Sequence, residues 1–153
     1  MCIRDSANIA FNVIPAIDTL QDDGSCFEEV KMIKETHKIL ENQKIQVLAT
    51  TARVPSFYCH CESVSVQLET PAKASEVEKC LASFKDVVVY SDHDYRKFPD
   101  PQSVRGSHKT HVARVRTMYG HETSDWVQFW IVADNLKKGA ATNAVQILEK
   151  LIS

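Results

Sequence analysis

The run Trp126-Val127-Gln128-Phe129-Trp130-Ile131-Val132-Ala133, followed by Asp134-Asn135-Leu136-Lys137-Lys138-Gly139-Ala140-Ala141, decides the class of fold. Its first half is the most apolar strand-like stretch in the chain. Its second half changes to helical spacing, which continues through Ala144, Val145, Leu148 and Leu151. Asp134 stands where a carboxylate can accept from the free N–H groups of a first helical turn. The Gly-Ala-Ala run lets another backbone come close. It reads either as a tightly packed helix start or as a docking surface for a nucleotide or another domain.

Moving outward, Val112 to Met118 is strand-like, with Arg114 and Arg116 on one face, and Val87 to Tyr90 is a short buried-type strand. Ser63 to Thr70 alternates, with Val64, Val66 and Leu68 on one side, and Pro71 is expected to end it. Lys44 to Val54 is also expected as a strand, because Ile45, Val47 and Ala49 alternate with Gln46, Leu48 and Thr50 before Pro55. Ala7 to Ile14 reads as a short strand or extended entry ended by Pro15. Phe27 to Leu40 has helical period, with Phe27, Val30, Ile33, His37 and Leu40 on one stripe. Ser75-Glu76-Val77-Glu78 is read as the capping box of a second helix carrying Val77, Leu81 and Phe84. Ser91 to Lys109, with Pro99 and Pro101, reads as a long loop. Helix, two strands, helix, strand, loop, two strands and helix make an α+β fold: a mixed, mostly antiparallel sheet with helices on one face.

The 153 residues suffice for one domain with a core. A net charge of -2 argues against a general nucleic-acid or membrane-surface binder. The sequence has no apolar run of the roughly 18 residues a membrane span needs. The five cysteines, Cys2, Cys26, Cys59, Cys61 and Cys80, form no regular framework, which suggests reduced thiols and a cytoplasmic setting. With four glycines, the chain contains neither common phosphate-cradling motif.

The chemistry concentrates in Arg53-Val54-Pro55-Ser56-Phe57-Tyr58-Cys59-His60. A guanidinium grips carboxylate or phosphate with a planar fork of donors. A histidine exchanges protons near neutrality. Antiparallel pairing of the flanking strands would bring Arg53 and His60 to one rim; the alternative is a surface ion-pair partner and a loop residue. Glu28 and Lys31 share a helix face at i, i+3, as a solvated ion pair or as complementary clamps for an ammonium and a phosphate. Cys59 and Cys61 flank His60 and invite a zinc reading with Cys26 or His37, but the spacing fits no common zinc pattern. Cys59 is also a candidate nucleophile beside an imidazole.

Five pieces in order resemble the C-terminal half of bacterial-type aspartate-semialdehyde dehydrogenases. They are Asn12 to Asp18, Glu28-Glu29-Val30-Lys31-Met32, Glu35 to Leu40, Arg53-Val54-Pro55 with His60, and Val132 to Gln146. The resemblance implies a glyceraldehyde-3-phosphate dehydrogenase-like C-terminal domain over residues 7–153. It also implies an unmatched leader, Met1 to Ser6, and an NADP-binding N-terminal domain that these residues lack. The implied activity is reduction of 4-aspartyl phosphate to aspartate 4-semialdehyde with NADPH, on the route to lysine, threonine and methionine, in a homodimer or homotetramer. Arg53 would hold the substrate carboxylate, Glu28 its ammonium and Lys31 the phosphate. His60 would be the general acid/base, Asn135 would contact the nicotinamide cofactor, and no metal is implied. A related acyl-phosphate or acyl-CoA reductase, such as N-acetyl-glutamyl-phosphate reductase, and a non-catalytic dimerisation module are the alternatives. His37 stands where the family commonly has arginine, and Cys59 and Cys61 where it has glycine and serine.

Overall fold

The computed structural model describes residues 8–92 and 94–152; the Met1 to Ser6 leader and the Ala7 start of the expected entry strand lie outside them. The chain divides into two compact units, one ending at Pro55 and one beginning at Ser56.

The first unit is built on helix α1, Phe27–Ile39. Glu28 and Glu29 in its first turn and His37 and Lys38 in its last complement the helix dipole. A tight turn leads into it: the Asp23 carboxylate accepts from the Ser25 N–H and hydroxyl at 3.0 and 2.6 Å, and Gly24 at φ 85° supplies the left-handed backbone. The strand expected at Lys44 to Val54 does not form a ladder. Burial alternates through it, with Ile45, Val47, Ala49, Thr51 and Arg53 partly covered and the residues between them exposed. Its backbone makes one β-bridge, Ile14 with Arg53, through bonds of 3.0 and 2.8 Å. The alternation was a true sign of extended backbone; among the described residues it has no neighbouring strand.

The second unit is a four-stranded mixed sheet ordered β1-β4-β3-β2. Its strands are β1 (His60–Lys73), β2 (Val87–Tyr90), β3 (Thr110–Thr117) and β4 (Thr123–Ala133). The β1–β4 and β3–β4 pairs are antiparallel and the β2–β3 pair parallel. The α+β class with its mixed, mostly antiparallel sheet is thus as expected. Strand β1 does not stop at Pro71. Its register shifts between Gln67 and Ala72, so proline, which has no N–H to offer, falls where no ladder bond is needed. Strand β3 carries a bulge between Ala113 and Arg116, with Arg114 at φ 58°. The extra residue resets the alternation, and Val112 and Val115 both reach the core.

Helix α2, Ala74–Ala82, packs Ala74, Val77 and Leu81 against Val112, Val115 and Val127. Its cap lies nearer the N-terminus than the Ser75–Glu78 box: the Lys73 N–H donates to Glu76 Oε2 at 2.8 Å. The expected loop 91–109 is partly folded. It holds a 3-10 turn at Tyr95–Lys97 and the short helix α3, Pro101–Val104, in which Asp100 accepts from the N–H groups of Gln102 and Ser103 at 2.7 and 3.0 Å. Val104 at 1 % exposure anchors it. After β4 the backbone passes through a π-helical turn, Lys137–Ala141, before α4, Thr142–Ile152. Among the described residues no helix is long and apolar enough to cross a membrane.

Candidate active site

In the first unit, α1 carries Glu28 and Lys31 as an ion pair at 3.2 Å. The spacing is one helical turn, and both side chains remain solvent-accessible. The Glu28 hydrogen bond and charge, helped by Glu35, push the Lys31 ammonium up, so it stays charged. In solvent such a pair adds little to stability. Each group is the resting partner of the other.

Arg53 ends the extended segment, and that segment is fastened to α1 by side chains. Glu29, 9 % exposed, accepts from the Cys26 N–H at 2.9 Å through Oε2 and from the Thr51 N–H at 2.7 Å through Oε1. The Cys26 thiol lies 3.1 Å from the Thr51 hydroxyl, and His37 Nε2 lies 2.7 Å from the Ile45 carbonyl. The backbone donors at Cys26 and Thr51 hold the Glu29 carboxyl below its usual range. The sign follows: this contribution is complete above the ordinary carboxylate value and is lost as pH falls through the lower folded value. Protection of the Thr51 amide against hydrogen exchange should therefore persist through mild acid and fail only below the usual carboxylate range. Failure near neutrality would contradict it.

In the second unit, His60 opens β1 opposite Ala133, the last residue of β4, and Asp134 and Asn135 follow directly. Two carboxylate bonds set this corner. Asp134, 4 % exposed, accepts from the Gly106 N–H at 2.6 Å and the Leu136 N–H at 3.0 Å. The Gly106 bond, chiefly, holds its carboxyl below the usual range. The Lys137 and Lys138 N–H groups close on the Asp134 carbonyl at 3.0 and 2.8 Å. Asp134 therefore caps the turn, as its position suggested, and also ties the 101–106 segment to the end of β4.

The same segment braces the approach to His60. The Arg105 guanidinium lies 4.0 Å from the centre of the Tyr58 ring, and Cys59 Sγ donates to the Pro101 carbonyl at 3.5 Å. Asn135 is partly buried.

The thiols near His60 are held toward their protonated form. Burial, then the Asp134 and Asp100 charges, push Cys59 up; burial first, then Cys59, Asp100 and Glu62, push Cys61 up. Among the described residues no group of three or more His, Cys, Asp or Glu side chains is placed to hold a metal ion. Cys59 also sits at φ 65°, where a Cβ costs about 1–2 kcal/mol. Cys59→Gly should therefore exceed Cys59→Ala in stability by about 1 kcal/mol in denaturant unfolding. Equal midpoints would show that the left-handed backbone carries no strain.

Sequence reasoning gave no role to Glu29, Gly106 or the second function of Asp134. A signal for Glu29 was present: Cys26-Phe27-Glu28-Glu29 places an acid three residues after the helix cap.

A family model described as "Semialdehyde dehydrogenase, dimerisation domain" matches residues 5–138. Aspartate-semialdehyde dehydrogenase of Aquifex aeolicus is 40% identical over 144 residues, covering 94% of this chain and 42% of that protein. Aspartate-semialdehyde dehydrogenase 2 of Vibrio cholerae is 41% identical over 150 residues, covering 96% of this chain and 42% of that protein. A crystal structure of aspartate semialdehyde dehydrogenase II from Vibrio cholerae, complexed with ASA, superposes with a TM-score of 0.88 at 41% identity, over 96% of this chain and 43% of that one. The chain thus spans about two fifths of the length of the relatives it matches. Its mixed sheet, its order of elements and these matches agree, and the chain belongs to the semialdehyde dehydrogenase dimerisation-domain family.

Proposed function

We propose that this chain is the substrate-binding and dimerisation domain of an aspartate-semialdehyde dehydrogenase. It works with an NADP-binding domain that supplies the nucleophilic cysteine. The whole enzyme converts 4-aspartyl phosphate to aspartate 4-semialdehyde and phosphate in a homodimer or homotetramer, in the cytoplasm. The observation that carries this reading is identity of about 40% to aspartate-semialdehyde dehydrogenases over nearly the whole chain, together with the charged side chains that α1 and the 44–55 segment present.

The roles follow from the chemistry of each group. The Arg53 fork suits the substrate α-carboxylate. Glu28 suits the ammonium and Lys31 the phosphate, so substrate replaces their mutual ion pair with its own complementary charges. His60 takes the proton from the attacking thiol, whose sulfur bonds to the acyl carbon as the carbon–oxygen bond to phosphate breaks. It later serves the hemithioacetal oxygen. NADPH, when bound, supplies the hydride that reduces the thioester. Asn135, partly buried at the start of the turn after β4, carries an amide of the chemistry that pairs with a nicotinamide carboxamide. The raised Cys59 and Cys61 fit a nucleophile that comes from elsewhere.

The test is to purify the 153-residue chain and the same chain joined to the NADP-binding domain of the Vibrio cholerae relative. The joined protein should oxidise aspartate semialdehyde in the presence of phosphate and NADP, and the chain alone should not. Turnover by the chain alone, or selective turnover of N-acetylglutamate semialdehyde by the joined protein, would overturn this reading.

A further inference from the structure

We propose that Glu29 is a positioning residue for the substrate carboxylate: it clips the extended segment ending at Arg53 onto the helix that carries Glu28 and Lys31. The inference rests on the roles proposed above for those three side chains.

An extended segment is normally aligned by its ladder, and among the described residues 44–54 has none beyond the single bridge at Arg53. Its alignment falls to side chains. Glu29 uses both carboxylate oxygens, one on each of two different segments: the backbone N–H of Cys26 at 2.9 Å, at the start of α1, and that of Thr51 at 2.7 Å. A second contact reaches the Thr51 hydroxyl at 3.4 Å. Bonds to an ionised acceptor are stronger than neutral ones, and this acceptor is nearly covered.

The register makes the clip specific to Arg53. In extended backbone, residues two apart point to the same side, and Thr51 and Arg53 are both on the partly covered side of the alternation. Holding the Thr51 N–H therefore fixes the direction in which Arg53 leaves the chain. Glu29 itself lies between Glu28 and Lys31 on the first turns of α1. One carboxylate thus couples the position of all three clamps. A glutamine has one carbonyl oxygen and cannot accept at both ends. An aspartate keeps the charge but is one methylene too short to span them.

The experiment uses both forms of the protein. In the 153-residue chain, Glu29→Gln and Glu29→Asp should speed hydrogen exchange at the Thr51 amide at least tenfold and shift the Arg53 Nε–H resonance. In the joined protein they should raise KM for aspartate semialdehyde on the order of 10–100-fold, leaving KM for NADP unchanged. Once Arg53 is lysine, Glu29→Gln should add little, because the two act as one unit. Unchanged exchange and resonance, or fully additive kinetic effects, would overturn the proposal. So would loss of folding in both variants, since a positioning residue leaves the fold standing. An inactive unsubstituted joined protein would instead count against the proposed function, while exchange and resonance in the chain alone would still decide the clip.

Discussion

Replacing His60 with alanine in the joined two-domain protein is expected to lower kcat by about two orders of magnitude or more, with KM for aspartate semialdehyde changed little. Under the proposed role, His60 moves the proton to and from the thiol and the hemithioacetal oxygen in the transition states, so its loss should appear in kcat. The fold should tolerate the change. His60 is exposed, it opens β1 at the edge of the ladder, and its register with Ala133 uses backbone atoms that alanine also has. Nor does the brace around it depend on the imidazole: the Arg105–Tyr58 contact, the Cys59–Pro101 bond and the Asp134–Gly106 bond all use other groups. An equal melting temperature with a collapsed kcat is therefore the expected pair of results. If kcat is retained, His60 is not the proton carrier. If KM rises while kcat holds, its role is substrate binding.

The corner that holds His60 also shows where the sequence was readable. Apolar β4 and alternating β1 are strong local patterns, and both strands appear, because each side chain's facing is set by the pleat itself. Pro71 was misleading, and the bulge at Arg114 went unforeseen, for a shared reason. A shift of register or a bulge depends on the partner strand, which local alternation does not encode. The 44–54 segment marks the same boundary from the other side. Its facing was legible, whereas its lack of a neighbouring strand was a matter of tertiary structure. Arg53, His60, Glu28 and Lys31 stood out because their side-chain chemistry is distinctive at any position. Glu29 and Asp134 did not, since an acid near a helix start is ordinarily a cap. Their second bonds, to Thr51 and Gly106, join residues far apart in sequence.

Replacing Arg53 with lysine separates charge from geometry. Lysine keeps the positive charge at the end of the extended segment but offers a point ammonium in place of a planar fork. The α-carboxylate would lose one of two parallel charged bonds, worth about 1.5–3 kcal/mol. That corresponds to roughly a 10–150-fold rise in KM for aspartate semialdehyde. Under the proposed role the effect should fall on KM more than kcat, because the α-carboxylate is remote from the reacting carbon and would be gripped alike in ground and transition states. KM for phosphate, assigned to Lys31, should move little, as should KM for NADP. The backbone anchor is indifferent to the substitution: Arg53 pairs with Ile14 through its own N–H and carbonyl, at 2.8 and 3.0 Å, and lysine retains both. A lysine variant with unchanged KM would mean that charge alone holds the carboxylate, and alanine at the same position would then show the full loss. A fall in kcat at constant KM would place Arg53 at the reacting centre instead, and the division of roles between Arg53 and Lys31 would have to be exchanged.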